Sequence, residues 1–404
     1  MTCLHECTSI EPHSDFTGNS NIFQLFGFAG FSGVALSETH SLILKRNGNV
    51  LATGWNPRGQ LGDGSKTDKK NFMQVIASGV KAVAAGNEHS MALKQDGSVC
   101  AAGGNNYGQL GDGSDRDKNI FVQVISSGAK AVAAGRYHSM VLMQDGNTWA
   151  AGANFFGQLG DGSKISRYSF VKVISGVKAV AAGNYHSMVL KQDRSVWTTG
   201  SQYYGQLGDG FSGTNNATNV FGRVISSGVQ AVTAGGYHSI VLKRDGSVWT
   251  AGCNMHGQLG DGSNLPERSI FVKVVSRGVT AIAAGWQHSI VLKQNGSVWT
   301  TGWNSDGQLG DGSNMDKNVF VQVVSSGSQA VAAGGLHSMV MEGDGSFWAT
   351  GANDFGQLGD GSTISKNYFV MVERVRDGSC FIVEDLSACI CSSWIEIFPC
   401  ASTL

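Results

Sequence analysis

The feature that most constrains this chain is a unit of about fifty residues that occurs seven times. The hexapeptide Gly-Gln-Leu-Gly-Asp-Gly recurs at spacings of 49, 49, 48, 52, 50 and 49 residues, and a His-Ser pair recurs at the same spacings. Two independent landmarks in one register indicate an array of a single supersecondary unit. The glutamines are Gln60, Gln109, Gln158, Gln206, Gln258, Gln308 and Gln357. The histidines are His40, His89, His138, His186, His238, His288 and His337.

The sequence of each unit predicts four short strands, most clearly in the third copy. A Gly-containing hairpin turn at Asp145-Gly146 joins its second and third strands, and no segment shows a sustained helical period. The four segments are Lys130–Gly135, Ser139–Leu142, Thr148–Ala151 and Ser169–Ile174. Four strands per fifty-residue repeat are typical of a propeller blade. The sequence therefore predicts an all-β fold, a seven-bladed β-propeller with four antiparallel strands per blade.

The repeat divides the chain into three parts. We expect an N-terminal tail at 1–30, the propeller at 31–375, and a Cys-containing C-terminal tail at 376–404. The Ala-rich first strands should line the axis, where only small side chains fit, with the Phe and Val residues of the fourth strands outermost. Either Gly33–Ser37 or the C-terminal Phe381–Val383 could supply the first strand of blade one, and the N-terminal segment is favoured.

Composition and charge narrow the functional classes. The chain has 57 glycines but four prolines, which suits many tight turns. Its 29 basic and 30 acidic residues argue against a nucleic-acid partner. No apolar run approaches the roughly 20 residues of a membrane span, so no membrane partner is expected. Six of eight cysteines lie in the tails, which favours a reduced, cytoplasmic protein, with the nucleus as the alternative.

The repeated residues are interpreted as architectural. Seven histidines, one per blade, would lie apart around a ring, each bonded to neighbouring backbone, and the Gly-Asp-Gly aspartates would cap turns. No unit places a nucleophile, a base and an orienting group together, and no Walker lysine follows the Gly-rich loop. We therefore predict no catalytic residue, no cofactor and no metal. The tryptophans of the third strands are interpreted as core packing; they are Trp149, Trp197, Trp249, Trp299 and Trp348.

Taken together, the hexapeptide, the Gly-x-x-His-Ser corner and Asp-Gly-x-Val-Trp resemble the regulator of chromosome condensation repeat, over most of the chain. The resemblance implies a seven-bladed propeller. Families with this repeat include a guanine-nucleotide exchange factor for a small GTPase, the plant UV-B photoreceptor, and modules of ubiquitin ligases. Because function resides in sites rather than folds, the resemblance does not select among them.

Two of these functions lack expected parts. No unit is lengthened by more than about three residues, around Phe211–Thr214, whereas the exchange factor of the family inserts a β-wedge. The photoreceptor carries Gly-Trp-Arg-His-Thr in several blades, and here Gly285–Ser289 approaches this motif with Gln287 in place of arginine. We keep the exchange factor as the alternative function and the photoreceptor as a remote one.

The prediction of a binding site rests on the positions whose residues differ from one repeat to the next. In a four-strand meander the first and third loops emerge on one face, and in blades two to five these loops are rich in aromatic residues. Aromatic side chains are the usual anchors of protein interfaces. The candidates are Tyr107, Tyr137, Phe155, Phe156, Tyr185, Tyr203, Tyr204, Tyr237 and Trp286. We predict a monomeric scaffold that binds a protein there, such as a small GTPase or a ubiquitin-pathway component; the alternative is that these rings only pack against neighbouring loops.

Overall fold

The computed structural model describes residues 31–213 and 217–374, together with three short strands of the C-terminal segment. Seven four-stranded antiparallel sheets form seven blades, each with its strands in chain order, so the predicted fold is confirmed. The first strands are β1 (Phe31–Leu36), β5 (Val80–Ala85), β9 (Ala129–Ala134), β13 (Val177–Ala182), β17 (Val229–Ala234), β21 (Val279–Ala284) and β25 (Ser328–Ala333). The second strands are β2 (His40–Lys45), β6 (His89–Lys94), β10 (His138–Met143), β14 (His186–Lys191), β18 (His238–Lys243), β22 (His288–Lys293) and β26 (His337–Glu342).

The outer half of each blade consists of the third and fourth strands. The third strands are β3 (Val50–Gly54), β7 (Val99–Gly103), β11 (Thr148–Gly152), β15 (Val196–Ser201), β19 (Val248–Cys253), β23 (Val298–Gly302) and β27 (Phe347–Gly351). The fourth strands are β4 (Lys69–Ile76), β8 (Lys118–Ile125), β12 (Arg167–Ile174), β16 (Ala217–Ile225), β20 (Glu267–Val275), β24 (Lys317–Val324) and β28 (Lys366–Glu373). A separate small sheet contains β29 (Cys380–Ile382), β30 (Ala388–Cys391) and β31 (Phe398–Pro399). No helix within the described ranges could cross a lipid bilayer.

Blade one takes its first strand from the N-terminal side. β1 pairs with β2 from Phe31↔Lys45 to Leu36↔Ser41, with one irregularity after Phe31. Val34 and Leu36 of this strand pack with Ala330 and Met339 of blade seven in one apolar cluster. The favoured closure is therefore confirmed, and the C-terminal alternative is wrong because β29 pairs with β30 instead.

Small side chains bring the first strands to the axis, as predicted. The last alanine of the first strand in blades two to seven borders a common central opening, whose lining includes Ala85, Ala134 and Ala182. The fourth strands are outermost, but their phenylalanines are not. Phe121, for example, packs inward on the core between blades one and two, and its ring occupies the space that a Cβ on Gly62 would take. The prediction for these phenylalanines is wrong because the hexapeptide loop of one blade receives the ring of the next.

The third-strand tryptophans are half-buried rather than fully buried. Trp197 packs against the apolar cluster between blades three and four, and its indole N–H donates to Ser195 Oγ across 2.9 Å. The Lys191 ammonium lies 4.3 Å from the Trp197 ring centroid. The indole therefore covers the edge of the core, and the Lys191 ammonium contacts the outer face of the ring.

A closed ring of hydrogen bonds joins all seven blades. In every blade the histidine Nε2 contacts the serine Oγ of the next blade at 2.8–3.0 Å, including His337 to Ser41 across the closure. Each serine donates to the carbonyl of the hexapeptide glutamine in the blade that supplies the histidine, at 2.6–2.7 Å. Because the single hydroxyl proton is used there, the histidine Nε2–H must be the donor. The sequence prediction of a bond to backbone is corrected: a serine hydroxyl stands between the imidazole and that backbone.

The hexapeptide aspartates stabilise turns, as predicted. Asp112 Oδ1 accepts from the Ser114 backbone N–H at 2.9 Å and from Asn105 Nδ2 at 2.9 Å, and Lys118 lies 3.1 Å from Oδ2. Burial acts to raise the pKa of Asp112, but the hydrogen bonds from Ser114 and Lys118 outweigh it and leave the pKa below its ordinary value. Asp112 also bridges to Ser169 of the following blade, so the loop is part of the blade-to-blade contact.

Candidate functional site

The candidate residues belong to loops that share one face of the propeller. First loops follow β9, β13, β17 and β21, and third loops follow β7, β11 and β15. Antiparallel order sends both kinds of loop to the same end of each blade, because the first and third strands run in the same direction. The nine predicted residues, from Tyr107 to Trp286, are here called the aromatic surface.

One part of the aromatic surface centres on Tyr107. Its ring centroid lies 5.2 Å from that of Tyr137 and 5.5 Å from that of Phe155, the latter in an edge-to-face arrangement. Two third loops and one first loop thus meet through their rings. Aromatic pairs in such geometries contribute more stabilising free energy than the burial of their surface alone.

A second part runs through Tyr185. Its ring centroid lies 5.2 Å from Phe156 and 6.1 Å from Tyr237. Tyr237 contacts Tyr204 at 5.4 Å, and Tyr204 contacts Tyr203 at 4.6 Å. Blades three, four and five therefore contribute to one continuous chain of rings.

Arg136 connects the two parts and adds Trp286. Its guanidinium carbon lies 5.2 Å from the Tyr137 ring centroid, 5.8 Å from that of Tyr185 and 5.8 Å from that of Trp286. Arg136 Nη1 also donates to the Tyr185 hydroxyl at 3.3 Å. Through Arg136 all nine predicted residues form one connected group, in which three rings lie directly against the guanidinium. The sequence analysis gave Arg136 no role, although Arg136 alone is basic among the first-loop positions that follow Ala-Gly.

Exposure of the rings bears on the alternative that they merely pack. The rings do contact one another, as that alternative expects, yet Phe155, Phe156 and Tyr203 remain 55%, 40% and 46% exposed. The other six are half-buried. A contiguous, partly exposed apolar patch is typical of an interaction site.

The remaining sector of this face combines ion pairs with further aromatic residues, among them Trp55 and Phe355, whose ring centroids lie 6.0 Å apart. Arg58 lies 3.7 Å from Glu88 and 3.3 Å from Asp117. His256 Nδ1 contacts Asp316 Oδ2 at 2.8 Å, and the His256 ring stacks on Trp303 at 5.4 Å. Ion pairs therefore lie at the border of the aromatic surface.

At the centre of the face the first loops surround an opening, here called the axial mouth. Its lining includes Glu38, Asn87, Arg136, Asn184 and Trp286 together with corner glycines. Burial raises the pKa of Glu38 above its ordinary value, and the charge of Arg136 opposes that rise. The axial mouth and the aromatic surface share Trp286 and adjoin at Arg136.

The side chains on this face include aromatic rings, amides and guanidinium groups. No group of three His, Cys, Asp or Glu side chains in the described part of the chain could hold a metal ion. The ring histidines are fully buried, and burial lowers the pKa of His186 to about 3, so they are neutral hydrogen-bonding groups at physiological pH. Aromatic rings, the Arg136 guanidinium and amide side chains suit binding to another molecule.

Comparison with known proteins agrees with the motifs. A family model described as the RCC1-like domain matches residues 17–274, and models of the regulator of chromosome condensation (RCC1) repeat match residues 279–308 and 295–341. No curated protein matches the chain.

Several solved structures share the fold. Human WBSCR16 has a TM-score of 0.68 and 24% identity over 76% of this chain and 85% of that one. Saccharomyces cerevisiae Prp20p, described with its binding to Gsp1p and histones, has a TM-score of 0.70 and 19% identity over 84% and 87% of the two chains. Yeast RCC1 (Prp20), in a structure described as Kap60 bound to it, has a TM-score of 0.72 and 17% identity over 93% and 91%.

Proposed function

The chain belongs to the RCC1-like domain family, and from this premise we propose that it is a non-catalytic scaffold that binds a protein partner through the aromatic surface. One observation carries the proposal: nine aromatic residues from five blades are linked by ring contacts and by Arg136 into one group on a single face. The repeat itself does not require this arrangement, because equivalent loop positions elsewhere carry polar residues such as Glu88 and Asp306.

The physical character of the aromatic surface supports a protein partner. Tyr and Trp rings lose little conformational entropy on binding and dominate the energetic centres of interfaces. Here their mutual contacts hold most of the rings in place before a partner arrives. Preorganisation of this kind reduces the entropic cost of association.

The partners described for similar folds guide the choice of candidates. The yeast relatives are described with the proteins Gsp1p, histones and Kap60. We propose a small GTPase or a ubiquitin-pathway component as the partner of this chain. The fold allows either, because a propeller face is a platform whose specificity lies in its loops.

Affinity capture with matched variants tests the proposal. The chain with Tyr137→Ser, Tyr185→Ser and Tyr204→Ser is compared with the wild-type chain as bait, followed by mass spectrometry. The control carries Tyr168→Ser and Tyr368→Ser, which remove tyrosines that are 44% and 57% exposed on the outer strands β12 and β28. We expect specific partners to be retained by the control and lost by the triple variant. Equal capture by all three baits would contradict the proposal.

A guanine-nucleotide exchange factor is the second candidate, favoured by the shared fold with yeast RCC1 (Prp20). Such a protein acts by binding its GTPase rather than by bond chemistry. Release of a fluorescent nucleotide from a panel of small GTPases separates the two functions. If the wild-type chain at micromolar concentration accelerates nucleotide release and the triple variant does not, the chain is an exchange factor. If the wild-type chain does not accelerate release, the scaffold function is retained.

A further inference from the structure

We propose that Arg136 binds the carboxylate of an Asp or Glu side chain that the protein partner inserts into the axial mouth. The inference rests on the proposed function and specifies its chemistry. It makes Arg136 the polar anchor at the centre of the aromatic surface, and the acidic residue of the partner its counterpart.

Arg136 lacks the ion pair that other arginines of this face have. On the same face Arg58 pairs with Asp117, Arg167 Nε lies 2.7 Å from Asp161, and Arg268 Nε lies 2.8 Å from Asp261. Arg136 forms no ion pair with any described carboxylate, and its buried Nε has no hydrogen-bond partner there. This is the arrangement expected of a cation whose partner lies on another molecule.

Aromatic rings surround the Arg136 guanidinium. Tyr137, Tyr185 and Trp286 lie 5.2–5.8 Å from its carbon, which removes water from one side of the cation. Aromatic rings attract the charge but accept no in-plane hydrogen bond from Nε. The planar fork of arginine therefore retains donors that match the two oxygens of a carboxylate.

A second donor borders the same opening. Trp286 Nε1 is buried and has no hydrogen-bond partner among the described residues. Its indole lies over Gly236, where an added Cβ would overlap Trp286 Cδ1. Gly236 thus provides the space that lets the Trp286 ring approach Arg136.

The size and charge of the axial mouth select a single acidic side chain. The opening has a volume of about 60 Å³ and faces solvent, which admits the end of one side chain rather than a folded element. Glu38 is the carboxyl group whose charge acts on Arg136, but it does not form an ion pair with it. A partner carboxylate would meet Arg136 while apolar residues flanking it in the partner cover the aromatic surface.

Selection from a random peptide library displayed on phage tests the proposal. Peptides that bind the wild-type chain are sequenced, and their affinities are measured by fluorescence anisotropy for wild type, Arg136→Met, Arg136→Lys and the control Arg116→Met. Arg116 is exposed in the third loop of blade two, outside the axial mouth. We expect a recurrent Asp or Glu in the peptides and a roughly ten- to hundredfold loss with Arg136→Met. Arg136→Lys should lose less, and Arg116→Met should change the affinity little.

A double-mutant cycle isolates the contact. Changing the recurrent peptide acid to its amide should weaken binding to wild type but not to Arg136→Met. Peptides without a recurrent acid, or equal affinity for wild type and Arg136→Met, would overturn the carboxylate contact. Tighter binding of a phosphoserine peptide than of the acid peptide would overturn it as well. If selected peptides bind the Tyr137, Tyr185 and Tyr204 triple variant as well as wild type, or if none is selected, the proposed function fails too.

Discussion

The Ser37 hydroxyl donates a hydrogen bond to Nδ1 of His40 across 2.7 Å, and blade one is the only described blade in which this nitrogen has a partner. The direction follows from the ring, because His40 Nε2–H is already the donor to Ser90. The equivalent residue is glycine in the other six blades, where Nδ1 is buried without a hydrogen-bond partner. A Cβ on Gly86, for example, would overlap the His89 ring and lie 2.5 Å from the Gly135 carbonyl oxygen.

Removing this hydroxyl should weaken the closure of the propeller. Ser37→Ala leaves a buried acceptor unsatisfied, and it deprives the backbone N–H groups of Thr39 and His40 of their acceptor. We expect a loss of about 1–3 kcal/mol in the free energy of unfolding, measured by urea denaturation. The control Ser127→Ala, at an exposed turn, should stay within about 0.5 kcal/mol of wild type. Equal stability of Ser37→Ala and wild type would show that the bond contributes nothing.

The seven ring histidines should make the fold sensitive to mild acid. Burial lowers the pKa of His40, His89 and His288 to about 3 and that of His138 to about 4. An unfolded histidine has a pKa of about 6.5, so between these values the unfolded chain binds more protons. Stability is therefore fully present above about pH 6.5 and is lost as the pH falls towards the folded pKa.

The expected loss is large. At pH 5 each buried histidine should cost about 2 kcal/mol of unfolding free energy relative to pH 7.5. Urea unfolding followed by tryptophan fluorescence between pH 8 and pH 5 measures the loss. A denaturation midpoint that does not change between pH 7.5 and pH 5.5 would contradict the neutral, hydrogen-bonded ring.

Arg194 occupies a turn position that glycine fills in the other blades. Its φ is 66°, a region that L-residues rarely adopt, and the equivalent Gly146 has φ 81°. Arg194→Gly should therefore stabilise the chain by about 1 kcal/mol. Gly146→Arg provides the reverse test, because a Cβ there meets no atom closer than 3.5 Å and the penalty is one of backbone conformation. Urea denaturation that ranks either variant the other way would contradict this account.

Gly236 should control the position of Trp286. A Cβ at Gly236 would overlap the indole, so Gly236→Ala should displace Trp286 from Arg136 and reduce partner binding about tenfold while the propeller stays folded. Gly222→Ala is the matched control, since no atom lies within 4 Å of its added Cβ. Circular dichroism checks folding, and anisotropy with a selected peptide measures binding. Unchanged affinity in Gly236→Ala would place Trp286 outside the site.

The repeat predicted the architecture because the residues of each unit determine its own strands and turns. The hairpin at Asp145-Gly146 and the small residues of β9 fix the order and the inner position of a strand without information from other blades. Contacts between blades were harder to predict. The partner of His138 is Ser187, 49 residues away, and neither residue type by itself indicates which atom of the next blade it meets.

The same distinction applies to the site. Aromatic residues at variable loop positions predicted which side chains gather, since loop order alone sends Tyr137 and Tyr107 to one face. The central position of Arg136 was not predictable from the sequence. It depends on the position of the Trp286 ring, which belongs to another blade and lies over Gly236. The available signal was that Arg136 is the one basic residue among the equivalent first-loop positions.

The binding constant of a captured partner tests the central claim most directly. Isothermal titration calorimetry would compare the wild-type chain, the triple variant with Tyr137, Tyr185 and Tyr204 changed to Ser, and the control with Tyr168→Ser and Tyr368→Ser. The aromatic surface predicts that the triple variant loses at least a hundredfold in affinity, whereas the control stays close to wild type. A triple variant that is folded and binds as tightly as wild type would contradict it.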